Sequence, residues 1–216
     1  MTGIRRGLLW CKDLLFPKFC VGCDRENSWL CLNCLPQHIN SENFSFTTDS
    51  ALSVLDGLTA LGTYEDNTIS ELVRLLKYRY ITEILNELHH IILAAHFSVQ
   101  LDNFVLMPVP LHPRRERERG FNQAERIANL FANRLGLEVD KSLRRCVYTA
   151  QQATLSGEER RKNLNGAFII EGEAKVPQKV LLVDDVFTTG STLKECAIVL
   201  KNAGVQTVWG LVLAKG

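Results

Sequence analysis

Residues 180–192 read VLLVDDVFTTGST and combine a buried strand, an acidic pair and a turn before a helix. VLLV is short, continuous and apolar, which is typical of a parallel strand covered on both faces. Asp184 and Asp185 follow it, and carboxylates at a strand end can accept hydrogen bonds from the vicinal hydroxyls of a ribose. Gly190 lets the backbone approach a ligand closely, and the following helix presents free N–H groups and the positive end of its dipole. The stretch therefore predicts a phosphate site.

Strand-like and helix-like patterns alternate on either side of this stretch. Strands are expected at about 56–64, 104–109, 179–184 and 205–214, and helices around 69–76 and 84–95 and at about 121–135 and 191–203. Such alternation predicts an α/β fold with a mostly parallel sheet flanked by helices. Ligands in such folds bind beyond the carboxyl ends of the strands, here after Val183 and after Val109.

The acidic pair and its turn resemble the fingerprint of the type I phosphoribosyltransferases, a hydrophobic strand followed by two acidic residues and a TTG-[ST]-T-like turn. The resemblance implies that Asp184 and Asp185 hold the ribose of phosphoribosyl pyrophosphate bound with Mg²⁺. It implies that the turn wraps the 5-phosphate through Thr188, Thr189, Gly190, Ser191 and Thr192, next to Val186 and Phe187. In the alternative interpretation, the acidic pair only caps the turn and the threonines are local N-cap donors.

A second candidate loop follows the strand at 104–109. Residues 112–126 contain five arginines and three glutamates, and the planar guanidinium group suits phosphate oxygens. Taken alone, the run RRERER is typical of a solvated, ion-paired helix start. Gly120 then allows a tight entry into the helix that begins near Phe121.

The wider pattern resembles the ComF or GntX-like proteins, which include a factor for DNA uptake in natural competence. The resemblance covers the chain from residue 20 onward and rests on PVPLHPRR (108–115), RGFNQAE (119–125), LLKYR (75–79) and LRRCVYTAQQATLSGEERRKNLNGAF (143–168). It implies a phosphoribosyltransferase fold preceded by a zinc module, with 108–120 as the loop that contacts pyrophosphate. The ligand-binding residues it implies there are Arg119, Asn122, Lys77 and Arg79.

The stretch 144–163 occupies the place of the flexible loop that covers the substrate in this superfamily. Such lids exclude water and complete a site. Gln151, Arg160 and Arg161 are its candidate contacts, and the alternative is a solvated polar linker.

Cys20, Cys23, Cys31 and Cys34 form the spacing C-x2-C-x7-C-x2-C. Two such knuckles supply four thiolates for a tetrahedral Zn²⁺, with no open position for catalysis, so the zinc would be structural. A redox C-x-x-C pair or disulfides are the alternatives. We expect three segments, namely an N-terminal helix with the zinc module at 1–38, a connector at 39–53 and a phosphoribosyltransferase-like domain at 54–216.

Composition limits the classes of function. The formal net charge is +1 and the pI is about 7.6, below the range of dedicated nucleic-acid binders. No apolar run approaches the roughly 20 residues that span a membrane, and charged residues interrupt the N-terminal segment, so we expect a cytoplasmic protein.

The sequence leaves three functional hypotheses open. The first is phosphoribosyl transfer to an unknown acceptor, for which no nucleobase-binding hood is evident. The second is a non-catalytic protein that binds single-stranded DNA and works with DNA-uptake or helicase proteins. The third is a regulator that responds to phosphoribosyl pyrophosphate.

Overall fold

A computed structural model describes residues 17–35, 54–64, 67–78, 83–95, 101–148, 166–172 and 176–216. The strands are β1 (Gly57–Thr63), β2 (Phe104–Pro108), β3 (Leu143–Arg145), β4 (Phe168–Ile170), β5 (Lys179–Phe187) and β6 (Thr207–Lys215). The helices are α1 (Asn67–Tyr78), α2 (Ile84–Ala94), α3 (Pro113–Arg119), α4 (Gln123–Leu135) and α5 (Ser191–Asn202). Among the described residues, no helix is both long and apolar enough to cross a membrane.

The main sheet has four parallel strands in the order β1-β6-β5-β2. Val183 of β5 lies opposite Leu211 of β6 and opposite Pro108 of β2, so the three strands end at the same edge. Helices connect consecutive parallel strands because such a crossover must return the chain to the starting edge. The predicted α/β class, with a parallel sheet flanked by helices, is confirmed.

Both faces of the sheet are covered. On one face α1, α2 and α4 pack around Leu106, Leu181 and Leu213, and Phe131 of α4 is fully buried there. On the other face, α5 and the antiparallel pair β3–β4 cover alternate positions of the same strands, including Leu182. The side-chain period of two in a strand explains why successive residues of β5 belong to opposite cores.

The last helix has one apolar face that packs on the sheet. Leu193, Cys196, Ala197 and Leu200 of α5 are buried against the sheet. Gly136 ends α4 with φ of 68°, a left-handed conformation that glycine adopts without strain.

Strand β5 continues three residues beyond the expected end at 184, as far as Phe187. Its pairing with β6 continues to Phe187 opposite Lys215, so the acidic pair lies inside the strand and not after it. The extension depends on a neighbouring strand of matching length, which local apolarity does not reveal. As a result Asp184 and Asp185 have fixed backbones and point to opposite sides of the strand.

Two short elements complete the fold. The first, α3, begins at Pro113 with His112 as its N-cap, whose Nδ1 accepts a hydrogen bond from the Arg114 amide. Gly120 ends it with φ of 82°. The run RRERER therefore forms a short helix, as its ion-paired interpretation suggested, and Arg114 contacts Glu118 at 3.0 Å. The second is the pair β3–β4, each strand only three residues long.

The cysteine segment packs against the helical side of the sheet. Cys20, Cys31 and Cys34 belong to the same buried cluster as α1 and α2. A Cβ on Gly22 would lie 3.0 Å from the Cys34 sulfur and 3.8 Å from Thr68 Oγ1 at the start of α1, so the backbone approach is close. The expected N-terminal helix and the boundaries at 38 and 53 lie outside the described residues.

Candidate functional site

A cleft of about 360 Å³ opens at the carboxyl edge of the sheet. Strands β1, β2 and β5 end there, and residues from five further elements, namely α1, α3, α4, β3 and α5, close its walls. The residues that line the cleft include Tyr64, Lys77, Val109, Arg115, Arg119, Asn122, Gln123, Arg145, Asp184, Asp185, Val186, Thr188 and Thr192. The sequence rule that ligands bind beyond the ends of β5 and β2 therefore identified the location of the cleft.

The acidic pair lies at the centre of this cleft. Asp185 is buried, with 6% of its surface exposed, and its Oδ1 accepts a hydrogen bond from Lys77 Nζ at 2.8 Å. Lys77 comes from the last turn of α1, 108 residues earlier in the chain. Asp184 Oδ1 accepts a hydrogen bond from the Asp185 amide at 2.9 Å, which fixes its carboxylate toward the cleft. Lys77 thus neutralises the Asp185 carboxylate, and the Asp184 carboxylate stays available to a ligand.

Burial raises the pKa of Asp184 to about 7, the negative charge of Asp185 adds to this, and Lys77 opposes it. Two carboxylates that are adjacent and poorly solvated cannot both ionise without cost. A ligand that donates hydrogen bonds, or one that carries a cation, would lower this pKa and stabilise the ionised form.

The loop after β5 forms a small concavity of about 30 Å³ against Asp184. Gly190 has φ of 69° and serves as the N-cap of α5. A Cβ there would lie 2.4 Å from the Phe187 ring, so only glycine fits. Thr189 Oγ1 lies 2.9 Å from Ser191 Oγ and accepts a hydrogen bond from the Ser191 amide, which closes the turn.

This geometry places the predicted loop residues around one concavity. Val186, Phe187, Thr188, Thr189, Gly190, Ser191 and Thr192 all line it. Phe187 is buried and supports the turn through its ring, so its contribution is packing. The positive end of the α5 dipole and the hydroxyl groups at its start favour an anion there.

The opposite wall of the cleft is basic. Arg115 and Arg119 reach it from α3, and Arg145 reaches it from β3. Arg145 is buried, and its guanidinium lies over the Phe168 ring at 5.4 Å. Burial lowers the pKa of Arg145, and the positive charge of Arg115 lowers it further.

Asn122 lines the cleft, but its side chain has a structural role. Its Oδ1 accepts a hydrogen bond from the Ala124 amide as the N-cap of α4, and its Nδ2 donates to the Val109 carbonyl at 3.1 Å. Both ends of the amide are therefore used to join the end of β2 to the start of α4.

Three lining residues were missed from the sequence, namely Tyr64, Gln123 and Arg145. Tyr64 directly follows β1, so the strand-end rule applied to that strand would have found it. Gln123 and Arg145 lie inside stretches that carried the family resemblance, yet no local pattern distinguishes them from their neighbours. Arg79, Gln151, Arg160 and Arg161 lie outside the described residues.

An exposed aromatic residue stands beside the cleft. The Tyr148 ring, 43% exposed, lies 4.8 Å from the Arg114 guanidinium and 5.8 Å from that of Arg115. His112 packs edge-on against the same ring, with centroids 5.1 Å apart. The cluster combines an aromatic face with positive charge at the surface.

The four clustered cysteines form a candidate metal site. Their sulfur atoms all lie within 4.8 Å of one another, and three of the four residues are buried. Tetrahedral zinc with Zn–S bonds of about 2.3 Å would place the sulfurs roughly 3.8 Å apart, which this arrangement can meet by small adjustments. Four cysteines close together could therefore hold a metal ion such as zinc.

The thiols of this cluster are already polarised by the backbone. The amide of Cys34 lowers the pKa of Cys31 to about 6. Contact with Cys23 and Cys31 raises the pKa of Cys34 to about 12, because neighbouring sulfurs compete for the same protons. A divalent cation would remove this competition by accepting all four sulfurs as thiolates.

Comparison with known proteins shows similarity to one group. The chain is 39% identical over 114 residues to competence protein F of Haemophilus influenzae, which covers 50% of each protein. It is 33% identical over 151 residues to the DNA utilization protein YhgH of Escherichia coli, 66% of each. It is 31% identical over 102 residues to competence protein ComFC of Streptococcus pneumoniae, 46% of this chain and 43% of that one. The chain spans about half the length of the Haemophilus relative. No protein-family model matches it.

The cysteine cluster makes a first prediction about metal content. Purified protein should contain about one zinc ion per chain, and Cys34→Ser should lose it, because three thiolates and a hydroxyl bind zinc more weakly. Metal content by plasma mass spectrometry and the thermal unfolding midpoint measure this. Cys146→Ser, an exposed cysteine outside the cluster, is the matched control and should keep its zinc. Equal zinc in both variants would contradict a four-cysteine site.

The raised pKa of Asp184 makes a second prediction about pH and stability. Between pH 4 and pH 7 the folded state holds a proton that the unfolded state releases, so the free energy of unfolding falls as pH rises. Asp184→Asn should remove this decline and be more stable than wild type at pH 8, by roughly 1 to 4 kcal/mol at about 1.4 kcal/mol per pKa unit. Urea denaturation at several pH values measures it, with the exposed Asp102→Asn as control. Parallel pH profiles for wild type and Asp184→Asn would count against the raised pKa.

Proposed function

Because the chain belongs to the ComF-like family, we propose that it acts in DNA uptake or DNA utilisation and binds phosphoribosyl pyrophosphate with Mg²⁺ in the cleft. The observation that carries the proposal is the meeting of three chemical groups in one cleft. An acidic pair, a helix-start phosphate loop and a basic wall all lie at the same sheet edge. Each suits a different part of one ligand.

The order of these groups along the cleft matches the order of phosphate, ribose and diphosphate in phosphoribosyl pyrophosphate. The concavity at 188–192 suits a terminal phosphate, since it offers hydroxyl groups and the start of α5. Asp184 lines both the concavity and the larger cleft, so a ribose placed between them could donate its hydroxyl hydrogens to it. The basic wall lies beyond, on the side where a diphosphate would extend.

The charges of the cleft suit a magnesium-bound polyanion. Lys77, Arg115, Arg119 and Arg145 supply four positive charges against the two carboxylates of Asp184 and Asp185. Mg²⁺ bound with the ligand would supply further neutralisation of the diphosphate. Lys77 pairs with Asp185 at 2.8 Å, and the three arginines lie in the same cleft.

The same arrangement would support phosphoribosyl transfer to an acceptor. An amine or hydroxyl nucleophile would form a bond to the anomeric carbon while the bond from that carbon to the diphosphate oxygen breaks. The diphosphate would take the bonding electrons, and the acceptor would lose its proton to water. Guanidinium groups positioned at the leaving oxygen atoms stabilise the developing charge.

Calorimetric titration with phosphoribosyl pyrophosphate and Mg²⁺ tests the proposed ligand. The variant Asp184→Asn/Asp185→Asn should bind at least about 10-fold more weakly, because hydrogen bonds to charged groups contribute roughly 1.5–3 kcal/mol each. Asp102→Asn, at the opposite edge of the sheet, should bind like wild type. Diphosphate release with candidate acceptors is measured on the same variants.

One result of the titration would overturn this function. Wild-type protein that takes up no phosphoribosyl pyrophosphate at millimolar concentration, with or without Mg²⁺, would remove the ligand from the proposal.

A second candidate function is binding of single-stranded DNA beside the cleft. The exposed Tyr148 ring with its two guanidinium neighbours supports it, because bases stack on aromatic faces and phosphates pair with arginine. The cluster lies on the surface, where a polymer can pass, whereas the cleft suits a compact ligand.

Fluorescence anisotropy with a labelled oligothymidylate tests this second function. Tyr148→Ala should weaken binding by about 10-fold, since stacking contributes roughly 1–3 kcal/mol per base, whereas Tyr148→Phe keeps the ring and should bind like wild type. Binding should also weaken as salt rises. Equal affinity of Tyr148→Ala and wild type would exclude stacking on this ring.

A further inference from the structure

The cysteine segment and the acidic pair contact opposite ends of one helix, α1. Near the start of the helix, a Cβ placed on Gly22 would lie 3.0 Å from the Cys34 sulfur and 3.8 Å from Thr68 Oγ1. In its last turn, Lys77 Nζ donates a hydrogen bond to Asp185 Oδ1 at 2.8 Å. A helix rises roughly 1.5 Å per residue, so the two contacts lie about 14 Å apart along one element.

Between these two ends, the helix shares its core with the cysteines. Its buried face has the helical spacing i, i+3, i+4 and i+7 and consists of Ile69, Leu72, Val73 and Leu76. These side chains belong to the same buried cluster as Cys20, Cys31 and Cys34. Protein interiors are packed as densely as crystals of small organic molecules and transmit strain. A shift of the cysteine segment is therefore passed on to the helix.

The cysteine segment also contacts α2. Lys18 Nζ lies 2.8 Å from Oε2 of Glu83, the residue before that helix, and the Trp29 backbone amide donates a hydrogen bond to Glu87. A segment this short buries little core of its own, so a bound metal ion would supply much of its folding free energy. The contacts that the segment makes with both helices therefore depend on the metal.

We propose that metal binding at the four cysteines and ligand binding at the acidic pair are thermodynamically coupled through α1. With the metal bound, the cysteine segment fixes the start of the helix, and the last turn holds Lys77 against Asp185. Without the metal, Lys77 is no longer held there, and two adjacent carboxylates repel an anionic ligand. The inference rests on the proposed function for the statement that such a ligand occupies the cleft.

Coupling of this kind is reciprocal. A metal that raises the affinity of the cleft for its ligand is itself bound more tightly, by the same factor, when the ligand is present. Couplings between two sites typically change an affinity by about 5- to 150-fold. We therefore expect the zinc affinity of the cysteines to fall when the contact of Lys77 with Asp185 is broken and to rise when a ligand fills the cleft.

The first measurement needs no ligand in the cleft. The full chain is equilibrated with the zinc-selective chelator TPEN, and protein-bound zinc is measured by plasma mass spectrometry. Lys77→Met keeps the apolar stem of the side chain and removes its charge, and it should lower the zinc affinity by at least about 5-fold. Arg74→Met changes an exposed cation of the same helix, which pairs with Glu71 at 2.7 Å, and should stay within about twofold of wild type.

A second control separates the path through α1 from a general loss of stability. Leu200→Ala truncates a fully buried side chain of α5 in the core cluster on the other face of the sheet, which lowers the free energy of unfolding. Urea denaturation measures that loss in each variant. At an equal or greater loss, Leu200→Ala should keep its zinc better than Lys77→Met. If Lys77→Met does not fold, Lys77→Gln, which removes the charge but keeps a donor, replaces it.

The second measurement adds phosphoribosyl pyrophosphate with Mg²⁺, at about ten times each protein's own dissociation constant. The ligand should raise the zinc affinity of wild type by at least about 5-fold and that of Lys77→Met by no more than about twofold. Equal saturation gives both proteins the same general stabilisation by ligand binding. The difference between them therefore reports the path through Lys77.

The outcomes separate this inference from the proposed function. A wild-type chain that takes up no phosphoribosyl pyrophosphate removes that function, whereas the first measurement still decides whether the cysteines and the acidic pair are coupled. If Lys77→Met keeps its zinc like wild type, or if Leu200→Ala loses zinc as readily, the coupling through α1 is wrong and the function stands. A chain that takes up no zinc, or equal effects of the ligand on wild type and Lys77→Met, also overturns the coupling.

Discussion

The hydrogen bonding of β5 to two parallel neighbours is the constraint on which the site depends. Strand β5 pairs with β2 on one side and with β6 on the other, and the longer ladder with β6 runs to Phe187. The ladder holds the acidic pair in an extended backbone. The Asp185 carboxylate therefore accepts a hydrogen bond from Lys77, and Asp184 lines the concavity at 188–192. The pairing with β2 brings α3, which follows that strand and carries Arg115 and Arg119, to the same edge.

Charged side chains of both signs lie at that edge of the sheet. The ion pair of Lys77 with Asp185 satisfies one buried carboxylate, and the raised pKa of Asp184 shows that the second is left without equal compensation. Arg115 and Arg145 place two positive charges in the same cleft, and their repulsion adds to burial in lowering the pKa of Arg145. Groups whose pKa values are shifted by burial and by neighbouring charges cluster at functional sites, so both walls mark this cleft as a candidate site.

The cysteine module is coupled to this cleft through α1. Its knuckle closes on the start of that helix at Thr68, and Lys77 lies in the last turn of the same helix. A metal-bound module would therefore fix the position of a helix whose other end holds the acidic pair. Cys20, Cys31 and Cys34 of the cluster belong to the same buried core as this helix.

Local pattern was enough for the parallel sheet, the order of its elements, the glycine turn before α5 and the cysteine spacing, because each depends on residues close in sequence. The extension of β5 to Phe187 and the β3–β4 pair needed partners from distant segments. The same holds for the pairing of Lys77 with Asp185 across 108 residues. Gln123 and Arg145 look like any polar residues in the sequence. Only the tertiary structure buried them in one wall, because burial depends on what packs above a residue and not on its neighbours in the chain. The segment 180–192 by itself determined a strand, an acidic pair and a turn before a helix, and the packing of α3, α4 and β3 decided which residues share the cleft with them.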